Sequence, residues 1–256
     1  MKNYKKYLLF LIYLFKSLFS PKTLKNNNLL GFLETLSKNN GIDIVEKNSI
    51  IDWSKVSLYF KKIPYDNGHV TILELSILCA YASKLKSNQN FLEIGTFEGI
   101  TSLNCALNAK NTTIYTLDLP YTQNIDEFHS RGYPVFDINL INSAKRIINM
   151  VEKKGENIFE SVNNVVQLFG DSTKFDFSKI DFSMALIDGG HDYHTVKSDT
   201  LNLIRYIKKP GWIFWHDYDV INDVGKCLTE ISNKLKVDWI KNTRLCFSYI
   251  DKNVNL

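Results

Sequence analysis

The stretch MALIDGGHDYHTVKSD, residues 184–199, decides the fold of this 256-residue chain. A short apolar run ends abruptly in Asp188 and two glycines. His191, Asp192, Tyr193 and His194 then lead into a segment with helical capacity. Such a run, bounded by turn residues, reads as a buried strand that opens into a loop and a helix.

Working outward, the same design recurs. Residues 90–95 (NFLEIG), 113–119 (TIYTLDL), 164–171 (NVVQLFGD) and 211–217 (GWIFWHD) are also short apolar runs that end in Gly or Asp. Helix-capable segments separate most of them. Strands apolar on both faces, alternating with helices, indicate a parallel sheet covered on both sides. Residues 29–39, 52–62 and, most strongly, 70–86 carry apolar spacing that predicts helices. Residues 237–251 break the alternation and read as a hairpin turning at Asn242-Thr243, closing the sheet edge antiparallel.

Composition narrows the function. The net charge of +4 is local, because residues 1–25 hold six lysines and no acid. The remainder has 25 basic against 27 acidic residues and no basic run with interleaved aromatics, so nucleic acid is not an expected partner. The four cysteines are widely spaced and form no CxxC pair, which argues against zinc or a disulfide framework and for reduced thiols in the cytoplasm. The apolar run from Tyr7 to Phe15 is too short to span a bilayer, which needs about 20 residues. Two readings stay open for residues 1–25. They form a helix lying on the inner face of the membrane with snorkelling lysines, or a helix packed on the body or on a second copy in a homo-oligomer. The domain reading is residues 1–25, a helical extension over 26–69, and a catalytic domain over 70–256 with an insertion at about 120–160.

Ligands of such sheets bind beyond the carboxyl ends of the strands. After the first strand, Gly95 and Gly99 allow close backbone approach, and the next helix offers unpaired N–H groups to an anion. Their GxxxG spacing alone is a weak dinucleotide signal. Asp118 closes the second strand, where an acid can take a ribose diol. Gly170-Asp171-Ser172 closes the third and Asp188 the fourth.

In this order, FLEIGTFEG, Asp118, GDS, IDGGH and PGWIFWHDY resemble the class I S-adenosylmethionine-dependent methyltransferases, closest to sugar and small-molecule O-methyltransferases of the macrolide-sugar and catechol type. The resemblance covers about residues 70–250. It implies a Rossmann-like, doubly wound α/β fold with a mostly parallel seven-stranded sheet, an antiparallel C-terminal hairpin strand and added N-terminal helices. It further implies that Glu93, Gly95, Thr96 and Gly99 form the loop under the methionine part of S-adenosylmethionine. Thr101 would meet its carboxylate, Asp118 its ribose, and Asp171 with Ser172 its adenine.

The resemblance also assigns the chemistry. Asp188 would lie beside the transferred methyl group and, with Asp217, bind Mg²⁺. His191 would be the base, and Asp188 and Asp217 would orient the acceptor. Metal-dependent relatives carry a third oxygen ligand beside Asp217, where this chain has His216 and Tyr218; Asp219 is the replacement the spacing offers. Tyr193, and His129, Arg131 and Tyr133 from the insertion, are candidate contacts to a hydroxylated small-molecule acceptor. His194 reads as a surface residue, and Asp192 and Asp199 as solvated or capping. Two functions are thus expected in competition: an O-methyltransferase acting on a small hydroxylated molecule such as a sugar or glycan precursor, or an inactive nucleotide-binding or membrane-tethered accessory protein of the same fold.

Overall fold

The computed structural model describes residues 27–64, 69–119, 158–219 and 222–252. Residues 1–25, most of the 120–160 insertion and its candidates His129, Arg131 and Tyr133 lie outside the described residues.

The central strands are β2 (Phe91–Ile94) and β5 (Met184–Ile187), every residue of which is buried. They pair in parallel, Phe91 opposite Met184 and Ile94 opposite Ile187. β3 (Ile114–Asp118) and β4 (Val165–Phe169) continue the sheet on one side, and β6 (Gly211–Trp215) on the other, all in parallel. The strand order therefore reverses between β2 and β5, which makes the carboxyl ends of these two strands the topological switch point.

Alternation along each strand feeds two apolar layers. Leu92, Ile94, Ala185, Ile187, Ile213 and Trp215 pack with α5 (Tyr193–Tyr206) and α6 (Asp223–Ile231). Phe91, Met184, Leu186 and Phe214 face the other way, onto α3 (Ile72–Ala82) and α4 (Ile100–Asn108). This is the expected Rossmann-like, doubly wound arrangement.

The sheet has eight strands among the described residues, one more than expected. β7 (Val237–Ile240) and β8 (Cys246–Ile250) form the antiparallel hairpin, with Asn242 at φ 64° in its turn. β8 also pairs antiparallel with β6, so the hairpin lies inside the sheet and does not close its edge. The edge is β1 (Ile42–Val45), parallel to β7. The extension over 26–69 is thus not wholly helical. α1 (Asn27–Asn39) forms where its spacing predicts, and a short helical turn α2 (Lys47–Ile50) follows β1. Residues 52–62 do not form a helix: Asp52 caps a single 3-10 turn over Trp53–Lys55, and the chain then runs without regular structure.

Candidate active site at the carboxyl ends of the strands

The end of β2 is drawn tightly against the ends of β3 and β5. Gly95 donates its N–H to the Leu117 carbonyl at 2.8 Å, and Asp188 donates to the Ile94 carbonyl at 2.9 Å. Gly95 has φ 96°, and a Cβ there would lie 2.1 Å from the Asp188 carbonyl oxygen. Only glycine lets the loop after β2 touch the end of β5. The loop then passes through two more left-handed residues, Phe97 at φ 47° and Gly99 at φ 73°, and delivers the chain to the start of α4.

Thr96 is buried, and its hydroxyl shares a 2.6 Å hydrogen bond with that of Thr116. Thr101 is buried in the first turn of α4. Asp118 accepts from the N–H groups of Phe97 at 3.1 Å and Leu119 at 2.8 Å. Burial raises its carboxyl above the usual aspartate value despite these donors. Glu93 departs from expectation. It is not in the loop but inside β2, 1% exposed, and it accepts from the hydroxyls of Ser102 and Thr116. Its contribution is to fasten α4 to the strands from beneath. Burial pushes its carboxyl up to about 8.

Asp171 is engaged in its own turn, accepting from the Thr173 N–H at 3.0 Å and hydroxyl at 2.6 Å and pairing with Lys174 at 3.2 Å. Ser172 faces Asp199, which overturns the reading of the latter as solvated or capping. Asp199 is fully buried on α5, and burial pushes its carboxyl up to about 7 against the Ser172 hydroxyl. Asp192 does cap α5, accepting from the N–H groups of His194 and Thr195, and His194 is exposed. Tyr193 is not brought to the site: its hydroxyl bonds Glu230 on α6, and Lys197 donates to it at 3.3 Å.

At the ends of β5 and β6 the charged groups converge. Asp188, His191 and Asp217 place ligand-type atoms within 4.8 Å of one another. Nε2 of His191 lies 3.0 Å from Oδ2 of Asp217, and the Arg244 guanidinium bonds Oδ1 of the same carboxylate. Asp217 is held at φ 55°. Burial opposes its charge, but the bond to His191 and the nearby His216 and Arg244 hold its carboxyl far below the usual range. The bond from Asp217 in turn raises His191 above its ordinary value.

Three partners here escaped the sequence reading: Glu74, His216 as an ion-pair member, and Arg244. Nδ1 of His216 lies 2.9 Å from Oδ1 of Asp188, and its Nε2 lies 3.3 Å from Oε2 of Glu74. Both ring nitrogens face carboxylates, so both carry protons. Burial opposes that charge, yet Asp188, Glu74 and Asp217 raise His216 to about 10. Glu74 is fully buried, held at about 2 against its burial by His216 and by the N–H groups of Arg244 and Thr71. The local signal at Glu74 was that of a helix cap alone. Thr71 and Glu74 form a capping box at the start of α3, each side chain accepting from the other's backbone. The box carboxylate doubles as the floor of the site.

The residues fit a nucleoside but not a magnesium ion. An acid ends β3 beside a loop of left-handed residues and a helix start, which suits a ribose and an anionic tail. A hard divalent cation needs oxygens. The position beside Asp217 that would supply the third is the imidazole of His216, and Asp219 is not in the converging group among the described residues. Both carboxylates are already matched by the chain's own cations.

The family model described as a methyltransferase domain matches residues 92–218. The chain is similar to the solved O-methyltransferase NovP, with 12% identity and a TM-score of 0.50 over 88% of this chain and 98% of that one. It is also similar to the S-adenosylhomocysteine-bound methyltransferase PaMTH1 of Podospora anserina, with 12% identity and a TM-score of 0.49 over 89% of this chain and 97% of that one. No curated protein matches the sequence. At this identity the likeness to NovP speaks for the fold, and the matched segment runs from β2 to just beyond the end of β6. Strand order and family match agree that this chain carries, over residues 92–218, the domain of the class I S-adenosylmethionine-dependent methyltransferases.

Proposed function

We propose that the protein is an O-methyltransferase that transfers the methyl group of S-adenosylmethionine to a hydroxyl of a small molecule, a sugar or glycan precursor being the acceptor class. The observation that carries this reading is the His191–Asp217 pair, placed where the loop after β2 meets the end of β5. A protein that only bound a nucleotide would have no use for an imidazole oriented by a carboxylate at that point.

In this reading the loop at Gly95, Thr96 and Gly99 and the first turn of α4 with Thr101 cradle the amino-acid end of the cofactor. Asp118 takes the ribose hydroxyls, and the turn at Asp171 and Ser172 borders the adenine. Bound S-adenosylmethionine supplies an electrophilic methyl group. His191 then acts on the acceptor. Asp217 accepts from its Nε2–H, which fixes the tautomer and leaves Nδ1 to take the proton of the attacking hydroxyl. Asp217 also favours the imidazolium that results. Asp188, held by His216, orients the acceptor beside the methyl group. No step requires a metal.

The test is single-turnover methyl transfer from labelled S-adenosylmethionine to a panel of hydroxylated sugars and phenols. Product on a sugar hydroxyl that vanishes in His191→Ala supports the reading. Binding of S-adenosylmethionine without transfer to any acceptor, unchanged by that substitution, would favour the inactive binding protein instead.

A further inference from the structure

Arg244 stands on the turn between β7 and β8, far in sequence from the strand ends it reaches. Its guanidinium occupies Oδ1 of Asp217, while His191 occupies Oδ2 at 3.0 Å. On the neighbouring strand, His216 occupies Oδ1 of Asp188 at 2.9 Å. Glu74 ties the two cationic groups together: its Oε2 lies 3.3 Å from the far nitrogen of His216, and its Oε1 accepts the backbone N–H of Arg244 at 2.5 Å. Three of the four carboxylate oxygens of Asp188 and Asp217 thus already face donors of the chain. A guanidinium cannot lose its proton in a protein, so the charge on Asp217 is matched under all working conditions.

We propose that Arg244 and His216 supply, from within the chain, the positive charge that a divalent cation would otherwise bring to Asp188 and Asp217, which makes the site metal-independent. Arg244 is a positioning residue in this scheme. It acts through Asp217, holding that carboxylate against His191. The inference rests on the methyltransferase reading for the site's task, but not for its charge.

The experiment is titration of the full-length protein with Mn²⁺, and separately with Zn²⁺, by calorimetry and, for Mn²⁺, by electron paramagnetic resonance. Each titration is run with and without S-adenosylhomocysteine. The wild-type protein is expected to take up neither ion at the site, and its affinity for S-adenosylhomocysteine should not change with chelator. Arg244→Gln removes the charge and keeps a polar side chain at a half-exposed position, and it should raise Mn²⁺ affinity roughly tenfold or more. Arg244→Lys keeps the charge and should behave as wild type. Stoichiometric uptake of either ion by the wild-type protein at micromolar concentration overturns the proposal. So does an Arg244→Gln protein that binds S-adenosylhomocysteine normally yet gains no Mn²⁺ affinity. If that variant fails to bind S-adenosylhomocysteine, the wild-type titration alone decides: uptake overturns the proposal and its absence supports it. A wild-type chain that binds neither S-adenosylmethionine nor its product sinks the methyltransferase reading, whatever the metal titrations show.

Discussion

Nε2 of His191 lies 3.0 Å from Oδ2 of Asp217, across the gap between the ends of β5 and β6. The bond raises the histidine's pKa, so at low pH the ring is an imidazolium that cannot accept a proton. Turnover should therefore rise with pH, with a midpoint above about 6.5, the ordinary histidine value. Asp217→Asn should move the midpoint down toward that value and lower turnover. His191→Ala should lower turnover by about 10² to 10⁴ with little change in affinity for S-adenosylhomocysteine. An unchanged pH–rate profile in both variants would place the base elsewhere.

Asp118 ends β3 beside the left-handed Phe97, whose N–H it accepts. Asp118→Ala should weaken S-adenosylhomocysteine binding by roughly ten- to a hundredfold, the usual effect of losing hydrogen bonds to a charged acceptor. Calorimetry on the folded variant measures it, and equal affinities would remove Asp118 from the cofactor site.

Gly95→Ala should be severe, because its Cβ would lie 2.1 Å from the Asp188 carbonyl oxygen at a positive φ. The loss of stability should be about 3 kcal/mol or more, combining steric overlap with backbone strain. Thermal unfolding reads it. A variant as stable as wild type would show that the loop after β2 and the end of β5 are not in contact.

Glu93 gives a pH dependence of stability with a definite sign. Its folded pKa of about 8 exceeds the ordinary 4.5, so between these values the folded chain holds a proton that the unfolded chain has lost. Stability from this group therefore falls as pH rises through that window. Glu93→Gln should flatten the fall and be the more stable protein at pH about 8, by on the order of 1 kcal/mol for each pKa unit of the shift expressed. Chemical denaturation at pH about 5 and about 8 measures the difference. Parallel slopes in the two proteins would mean that the carboxylate is ionised in the fold.

The lysines of residues 1–25 predict attachment to anionic membrane surfaces. Deleting this segment should abolish co-sedimentation with anionic liposomes and leave S-adenosylhomocysteine binding intact. A full-length chain that ignores such liposomes, but loses its dimer on truncation, would favour packing on a second copy. Among the described residues, no helix is long and apolar enough to cross a membrane.

Legibility followed the range of the interactions. β2 and β5 were readable because strands buried on both faces are apolar at every position, and their terminal acids mark the strand ends within a residue. β1 was not, because its four residues, only one of them buried, owe their conformation to pairing with β7 nearly 200 positions later. Tyr193 looked like a site residue from its place next to His191, but the helical phase of α5 turns its hydroxyl to Glu230. The carboxylates of Asp188 and Asp217 and the imidazole of His191 could be found at their strand ends. Glu74 and Arg244 could not, since a helix cap and a hairpin turn are complete local explanations for each.

The bond between the Arg244 backbone and Glu74 joins positions 170 residues apart, and His216 reaches Glu74 across 142. Contacts of this separation form after local ones, because closing the intervening chain costs entropy before it returns any attraction. A nascent chain with β2 through β6 in place, but without the β7–β8 hairpin, therefore carries Asp217 without its guanidinium and Glu74 without a backbone donor. The β7–β8 hairpin thus completes the charge balance at the strand ends late in folding, and a chain halted short of it would hold the loop after β2 while Asp217 lacks its guanidinium.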